Sequence, residues 1–420
     1  MNQYKLDVKK PATFTLLLIY SFPACIAVSL SPALTSIGQT YGISSNAVKD
    51  VMTLSMLGYA IGPLLSAPIT TFLGRKVTVI LGSIMAVLGL VLSVFAFFSD
   101  NYGLFLVGRF VATFGGGVAF CLSYAIISDF YKEAEARNVL AIIAAAFCLI
   151  PGIVMAIAGQ LTHYLGWEYT LFFMLAYAVL TIVLTLGLPE TGSPIPFNKK
   201  DIQELDHDYL VVLKNKSFIY ACIIIGLAIS LLYVYATDAS LIASEKMKMG
   251  PSMFGYYSVI PYVGAIVSLT AVRIFSRKLT YVRTTLMSFV LMLIGAGATL
   301  AAFLSGSINV FTLFGFTFII IAGSIPINVS YATIAENISP YRGIEASLIS
   351  SLFMFISIFA VKVSSFLHPF MGWLEYPITA FIMVGLMAVF CVLLYRHDPK
   401  VFGAGEAEGS QPELKAARHL

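Results

Sequence analysis

The apolar residues of this chain lie in long runs separated by short polar segments, at approximately 12–36, 48–70, 77–98, 102–127, 139–165, 167–188, 217–242, 251–274, 282–304, 309–334, 345–367 and 374–395. Each run is near the ~20 residues that a helix needs to cross about 30 Å of hydrocarbon. Barrel strands are about half that length, so backbone groups inside the bilayer must be satisfied within helices. The pattern predicts an all-α membrane protein with 12 transmembrane helices. The first run is too long for a signal-peptide core and is kept as the first helix.

Twelve crossings place both termini on one side, and the basic residues say which. Of 25 lysines and arginines, 20 fall in the segments on the side of the termini. Only Lys49, Lys246 and Lys248 fall in the opposite loops, while Arg109 and Lys362 lie inside runs. The positive-inside rule then makes the termini cytoplasmic, as expected of a protein of a bacterial inner membrane.

The longest connection, about 189–216, separates the sixth and seventh runs. It carries Pro189, Gly192, Pro194 and Pro196, then a charged stretch in which Ile202, Leu205, Tyr209 and Val212 share a helical face. A short helix lying on the inner surface is expected there. A weak repeat supports division at this loop: Gly62, Arg75 and Lys76 recur as Gly264, Arg277 and Lys278, each offset by 202. The expected organisation is a six-helix bundle over 1–190, a linker over 191–216, a second, pseudo-symmetric six-helix bundle over 217–400 and a disordered cytoplasmic tail over 401–420. Parallel six-helix repeats are a transporter plan with the substrate site at midplane between the halves.

Composition changes this picture little. Hydrophobic residues make up 59% and charged residues 11% of the chain, against about 25% charged in soluble domains. The five cysteines, Cys25, Cys121, Cys148, Cys222 and Cys391, all sit in apolar runs at spacings unlike a metal site or disulfide framework. No phosphate loop, nucleophile triad or nucleic-acid patch is present, so neither an enzyme nor an ATP-driven pump is indicated, and no cofactor or metal is expected. A monomer in the lipid bilayer that handles a small molecule is the expectation.

Arg109 is the costliest residue in the membrane, at roughly 2.5–3.5 kcal/mol on insertion scales. It is followed by Phe114 and by Gly115, Gly116 and Gly117, which remove side chains where a helix or a ligand approaches. Either Arg109 faces inward beside a water-filled path, or it snorkels to headgroups about 10 Å away.

These motifs resemble the major facilitator superfamily, specifically its twelve-helix drug:proton antiporters of the bicyclomycin-resistance type. The segment Ala67-Pro68-Ile69-Thr70-Thr71-Phe72-Leu73-Gly74-Arg75-Lys76 answers that family's Gly-Pro-Leu-Ser-Asp-Arg-x-Gly-Arg-Arg motif. It keeps Gly74, Arg75 and Lys76, with Thr71 and Phe72 at the acidic and basic positions. Arg109-Phe110 through Gly115 resembles Arg-Phe-x-Gln-x-x-Gly without the glutamine. Asp129-Phe130-Tyr131 and Arg137 look like the following inner loop. Pro151 and Gly159 remain of the antiporter signature, where Met155 replaces a proline, and Leu188-Pro189-Glu190-Thr191 closes the sixth helix as in the family. In the first helix, Val28 stands where many members carry an aspartate four residues before Pro32.

The resemblance implies alternating access and export. With no acid in the first helix, proton coupling must use other carboxylates. The fold implied by the resemblance packs helices 2 and 11 across the interface between halves. Asp50 and Lys362, near their outer ends, are therefore candidates for a gate pair that protonation of Asp50 would weaken; the alternative is a helix-capping Asp50 in water and a snorkelling Lys362. Asp238, expected at the end of helix 7 after Tyr233 and Tyr235, suits a cationic, partly apolar ligand or is a hydrated helix-end acid. Glu345 either pairs with Arg75 at the inner gate or simply favours its helix N-terminus. Phe114, Gly115, Tyr233, Tyr235 and Asp238 are the candidate cavity residues. The reading is an exporter of a small amphipathic organic compound by proton antiport. An importer or facilitator on the same fold, and a non-transporting sensor, are the alternatives.

Overall fold

A computed structural model describes residues 13–120, 122, 126, 133–192, 199–275, 280–336, 338 and 342–399. Asp129-Phe130-Tyr131, the repeat's Arg277 and Lys278, the tail after 400 and the side chain of Ile202 lie outside the described residues.

The membrane-length helices are α1 Thr13–Val28, α2 Asp50–Leu73, α3 Arg75–Phe98, α4 Tyr102–Phe120, α5 Glu133–Tyr164, α6 Glu168–Leu186, α7 Lys216–Glu245, α8 Pro251–Phe275, α9 Tyr281–Leu304, α10 Phe316–Glu336, α11 Arg342–Met371 and α12 Glu375–His397. Hydropathy of the described residues picks out the same elements, with α11 and α12 in one stretch and α5 represented by Cys148–Tyr164. α1 to α6 pack among themselves, as do α7 to α12, and the two bundles meet along α2 against α11 and α5 against α8.

Three local features set the geometry. The first apolar run is not one continuous helix: α1 ends at Val28, Ser31–Ala33 forms a 3-10 turn, and Leu34–Thr40 resumes the helix. Pro32 lies in that turn, where proline removes a helical donor. Ser31, at the start of the turn, ties it to α7: Ser31 Oγ donates to the Ala236 carbonyl, and Ser240 Oγ donates to the Ser31 carbonyl at 2.5 Å.

Second, Gly74 turns the chain between α2 and α3 at φ +84°, a conformation that side chains disfavour. Glu190 occupies the resulting cradle. Its carboxylate accepts from the backbone N–H groups of Arg75 (2.8 Å), Lys76 (3.1 Å) and Gly192 (2.8 Å). A carboxylate is favoured at a helix N-terminus, where amides lack intrahelical acceptors. The Gly-Arg-Lys motif and the Leu-Pro-Glu-Thr motif are thus two halves of one structure.

Third, the linker helix Lys199–Lys214 is anchored. Leu205 and Tyr209 pack on the core and Val212 is buried. Pro68 deprives the Leu64 carbonyl of its helical donor. Tyr209 Oη supplies a replacement at 3.1 Å and lies 3.2 Å from Ser347 Oγ on α11, which itself donates to Pro63 O at 2.5 Å.

Candidate functional site: an ion cluster between the two bundles

At the end of the bundle away from the linker, the outer end by the charge rule, α2 approaches α7, α11 and α12. Ser45–Val48 forms a single turn capped by Ser44, and α2 starts two residues later. Consecutive helical positions are about 100° apart, so Lys49 and Asp50 leave the backbone in different directions. Asp50 reaches the rim, where Lys362 Nζ meets its Oδ1 at 2.6 Å with both side chains about half exposed (40% and 50%).

Lys49 turns inward. Its side chain is 1% exposed, and Nζ lies 2.8 Å from Asp238 Oδ1 and 2.7 Å from Glu375 Oε1, both carboxylates being fully buried. Ser364 Oγ donates to Asp238 Oδ2 at 2.5 Å. His368 Nδ1 lies 3.0 Å from Glu375 Oε2. The cluster therefore joins one helix of the first bundle to three of the second.

Two expectations are corrected here. Asp238 is not a hydrated helix end: α7 continues to Glu245 and buries it. Lys49 is not a wet loop residue. Glu375, at the first residue of α12, was missed because a charge at the edge of an apolar run reads as a solvated boundary. His368 is 23% exposed and so only partly meets water.

Arg109 is fully buried, which excludes snorkelling. Its Nη2 donates to the Ile26 carbonyl at 2.6 Å and Nε to Ser55 Oγ at 3.2 Å. Ile26 O belongs to the last turn of α1, where carbonyls lack helical donors and a cation is favoured. Among the described residues Nη1 has no hydrogen-bond partner.

The remaining candidates are spread over the bundle. Gly115 packs against α3: a Cβ there would lie 2.5 Å from Ala86 N and 2.8 Å from Met85 Cβ. Phe114 is half-buried, and Tyr233 and Tyr235 are buried on α7, with Tyr235 Oη 3.4 Å from the Ser258 carbonyl. Glu345 is buried in the first turn of α11, while the backbone amides of Arg75 and Lys76 hold Glu190. The α5–α8 seam runs through the signature residues. Gly152, next to Pro151, faces the Tyr262 ring, Gly159 faces the Pro251 carbonyl, and Ser252 Oγ donates to Gln160 Oε1 at 3.0 Å.

A family model described as Major Facilitator Superfamily matches residues 16–326. The chain belongs to that superfamily. It is therefore an integral membrane protein of a transporter superfamily. An uncharacterised transporter of Rickettsia felis is 29% identical over 265 residues, covering 62% of this chain and 64% of the relative's length. The multidrug resistance protein MdtL of Escherichia coli is 25% identical over 338 residues (80% and 82%), and the chloramphenicol resistance protein CraA of Acinetobacter baumannii 23% over 379 (88% and 89%). The crystal structure of a D-xylose-proton symporter superposes with a TM-score of 0.71 at 13% identity, covering 89% of this chain and 96% of that one. A POT family transporter structure also reaches 0.71 at 12% identity, with 93% and 96% covered. At these identities the structures speak for the fold alone.

For this superfamily member the exposed rim pair and the buried cluster differ in weight. Exposed pairs are worth about 0.2–1 kcal/mol. A double-mutant cycle of Asp50→Asn and Lys362→Met, read on closure of the outer side, is expected to give a coupling of no more than about 1 kcal/mol, fading with salt. A clearly larger coupling would make the rim pair the principal latch.

Proposed function

We propose that the chain exports a small amphipathic organic compound by alternating access, against inward proton flow, as a drug:proton antiporter. It would act as a monomer in a bacterial cytoplasmic membrane, with both termini inside. Bundles 1–190 and 217–400 would rock about the linker 191–216. The observation that carries this reading is the ion cluster across the bundle seam. Its positive member Lys49 comes from α2 and its negative members from α7 and α12. Rocking the bundles apart separates charge from countercharge, which is what a titratable gate requires. The direction of transport is supported by relatives named for resistance to several drugs and to chloramphenicol. Asp238, Tyr233 and Tyr235 on α7, with Phe114 on α4, remain the proposed substrate-facing group, and Arg109, Glu345, Asp50 and Lys362 the proposed gating and coupling charges.

The test is proton flux in sealed vesicles of purified protein with an imposed pH gradient. Chloramphenicol, lipophilic cations and siderophore-like carboxylates serve as the panel. Compound-dependent collapse of the gradient, lost in Asp238→Asn, is the expected result. Tracer movement down its own gradient with the pH gradient intact would replace antiport with facilitated diffusion.

A further inference from the structure

The buried cluster carries one positive charge and two negative ones: Lys49, Asp238 and Glu375, all at most 1% exposed. A net negative charge is unfavourable away from water, and one added proton makes the cluster neutral. The neighbours of each carboxylate oxygen bear on where that proton goes. Asp238 accepts a hydrogen bond from Ser364 on Oδ2, and its Oδ1 lies 2.8 Å from Lys49 Nζ as an ion pair. Glu375 spends Oε1 on Lys49, and its Oε2 faces the His368 ring at 3.0 Å. His368 is also the cluster's member at the surface. It lines, with Lys246, Phe303 and Trp373, an outer pocket of about 510 Å³. Asp238 Oδ1 and Glu375 Oε2 are both without a hydrogen-bond partner among the described residues, and it is Glu375 Oε2 that has the pocket-lining His368 beside it.

We infer that Glu375 is the loading site for the transported proton and that His368 is its port to the outer solution. The inference rests on the antiport reading above, and it names the group that takes the proton. His368 takes a proton from the pocket on one ring nitrogen. It passes the Nδ1 proton to Glu375 Oε2, so that an O–H bond forms as the N–H bond breaks and the ring returns to neutral. Closure with this proton buries a neutral cluster, whereas closure without it buries a net charge, so outside protons favour the turn away from the outward-open form. The other ionisable groups around the cluster are Asp50 and Lys362 at the rim, Glu245 at the end of α7, where Ser45 Oγ donates to it, Lys246 in the pocket, and Tyr376, whose Oη lies 2.6 Å from Thr317 Oγ1. None of these lies between His368 and Glu375.

The test labels cysteines at exposed Gln39 and Ser307, one on each bundle, and reads their distance against pH in the full-length protein. Wild type is expected to close on the outer side with a one-proton slope as pH falls. Glu375→Gln should close independently of pH. His368→Asn should keep the slope but respond to a pH jump at least tenfold more slowly. Asp238→Asn, which also leaves a neutral cluster, should match Glu375→Gln and guards against a local folding defect. A full pH response in Glu375→Gln overturns the assignment. Vesicle flux separates this failure from that of the broader reading: no compound-driven flux in wild type sinks antiport, whereas wild-type flux that survives Glu375→Gln sinks only the loading site.

Discussion

Replacing Lys49 with alanine is expected to hold the protein open on its outer side and to abolish net transport. In the closed form, Lys49 Nζ sits between Asp238 and Glu375, with all three side chains sealed from solvent. Removing the cation leaves two carboxylates in one dry site, and breaking a buried pair in this way costs about 3–5 kcal/mol. That is roughly two to nearly four orders of magnitude in the closed-to-open ratio. In the open form the carboxylates meet water, so the penalty falls on closure rather than on folding. The Gln39–Ser307 label distance should lengthen at neutral pH, while the melting temperature of the purified protein changes little. Acid should restore closure with a two-proton slope, because both carboxylates must now be neutralised. An unchanged label distance would mean that the cluster only fills space between bundles.

Lys49 also marks the limit of what the chain reveals by itself. The twelve helices follow from run length alone, because the bilayer leaves few alternatives. The juxtaposition of Asp50 with Lys362 could be anticipated from two charges near the outer ends of helices that the implied fold packs together. Lys49 could not, since it differs from Asp50 by one position and about 100° of helix rotation. Glu375 and Asp238 were obscured for a related reason. Charges near the edge of an apolar run are read as wet, but here the neighbouring bundle covers those edges. The break after Val28 falls at Pro32, a residue that marks a possible bend in the first helix, although hydropathy alone does not register where a run stops being helical. Arg109 was readable as inward-facing, yet its partners, a helix-end carbonyl and Ser55, are backbone and hydroxyl groups that no charge pattern points to.

Alanine substitution across Gly115, Gly116 and Gly117 is expected to separate three adjacent, identical residues by their cost. All three lie in α4, and each faces a different neighbour. Gly115 meets α3 backbone to backbone. A Cβ on Gly82 would in turn lie 2.6 Å from the Gly115 carbonyl, so neither helix can withdraw a side chain to make room. Gly117 faces α2, where a Cβ would come 2.9 Å from Pro63 Cδ and 3.1 Å from the Tyr59 carbonyl. Gly116 faces Pro23 of α1 at 3.5 Å, an ordinary contact. Overpacking of a filled interior costs about 1–3 kcal/mol and sometimes more, while replacing a mid-helix glycine by alanine returns up to about 1 kcal/mol of helix propensity. Gly116→Ala should therefore be neutral or slightly stabilising, Gly117→Ala destabilising, and Gly115→Ala the worst of the three, with the lowest melting temperature and yield of monodisperse protein. The order is the test, because a general intolerance of side chains in this segment would penalise all three alike. If Gly116→Ala proved as damaging as Gly115→Ala, the triplet would be serving something other than close helix packing, and a ligand path along α4 would then explain it better.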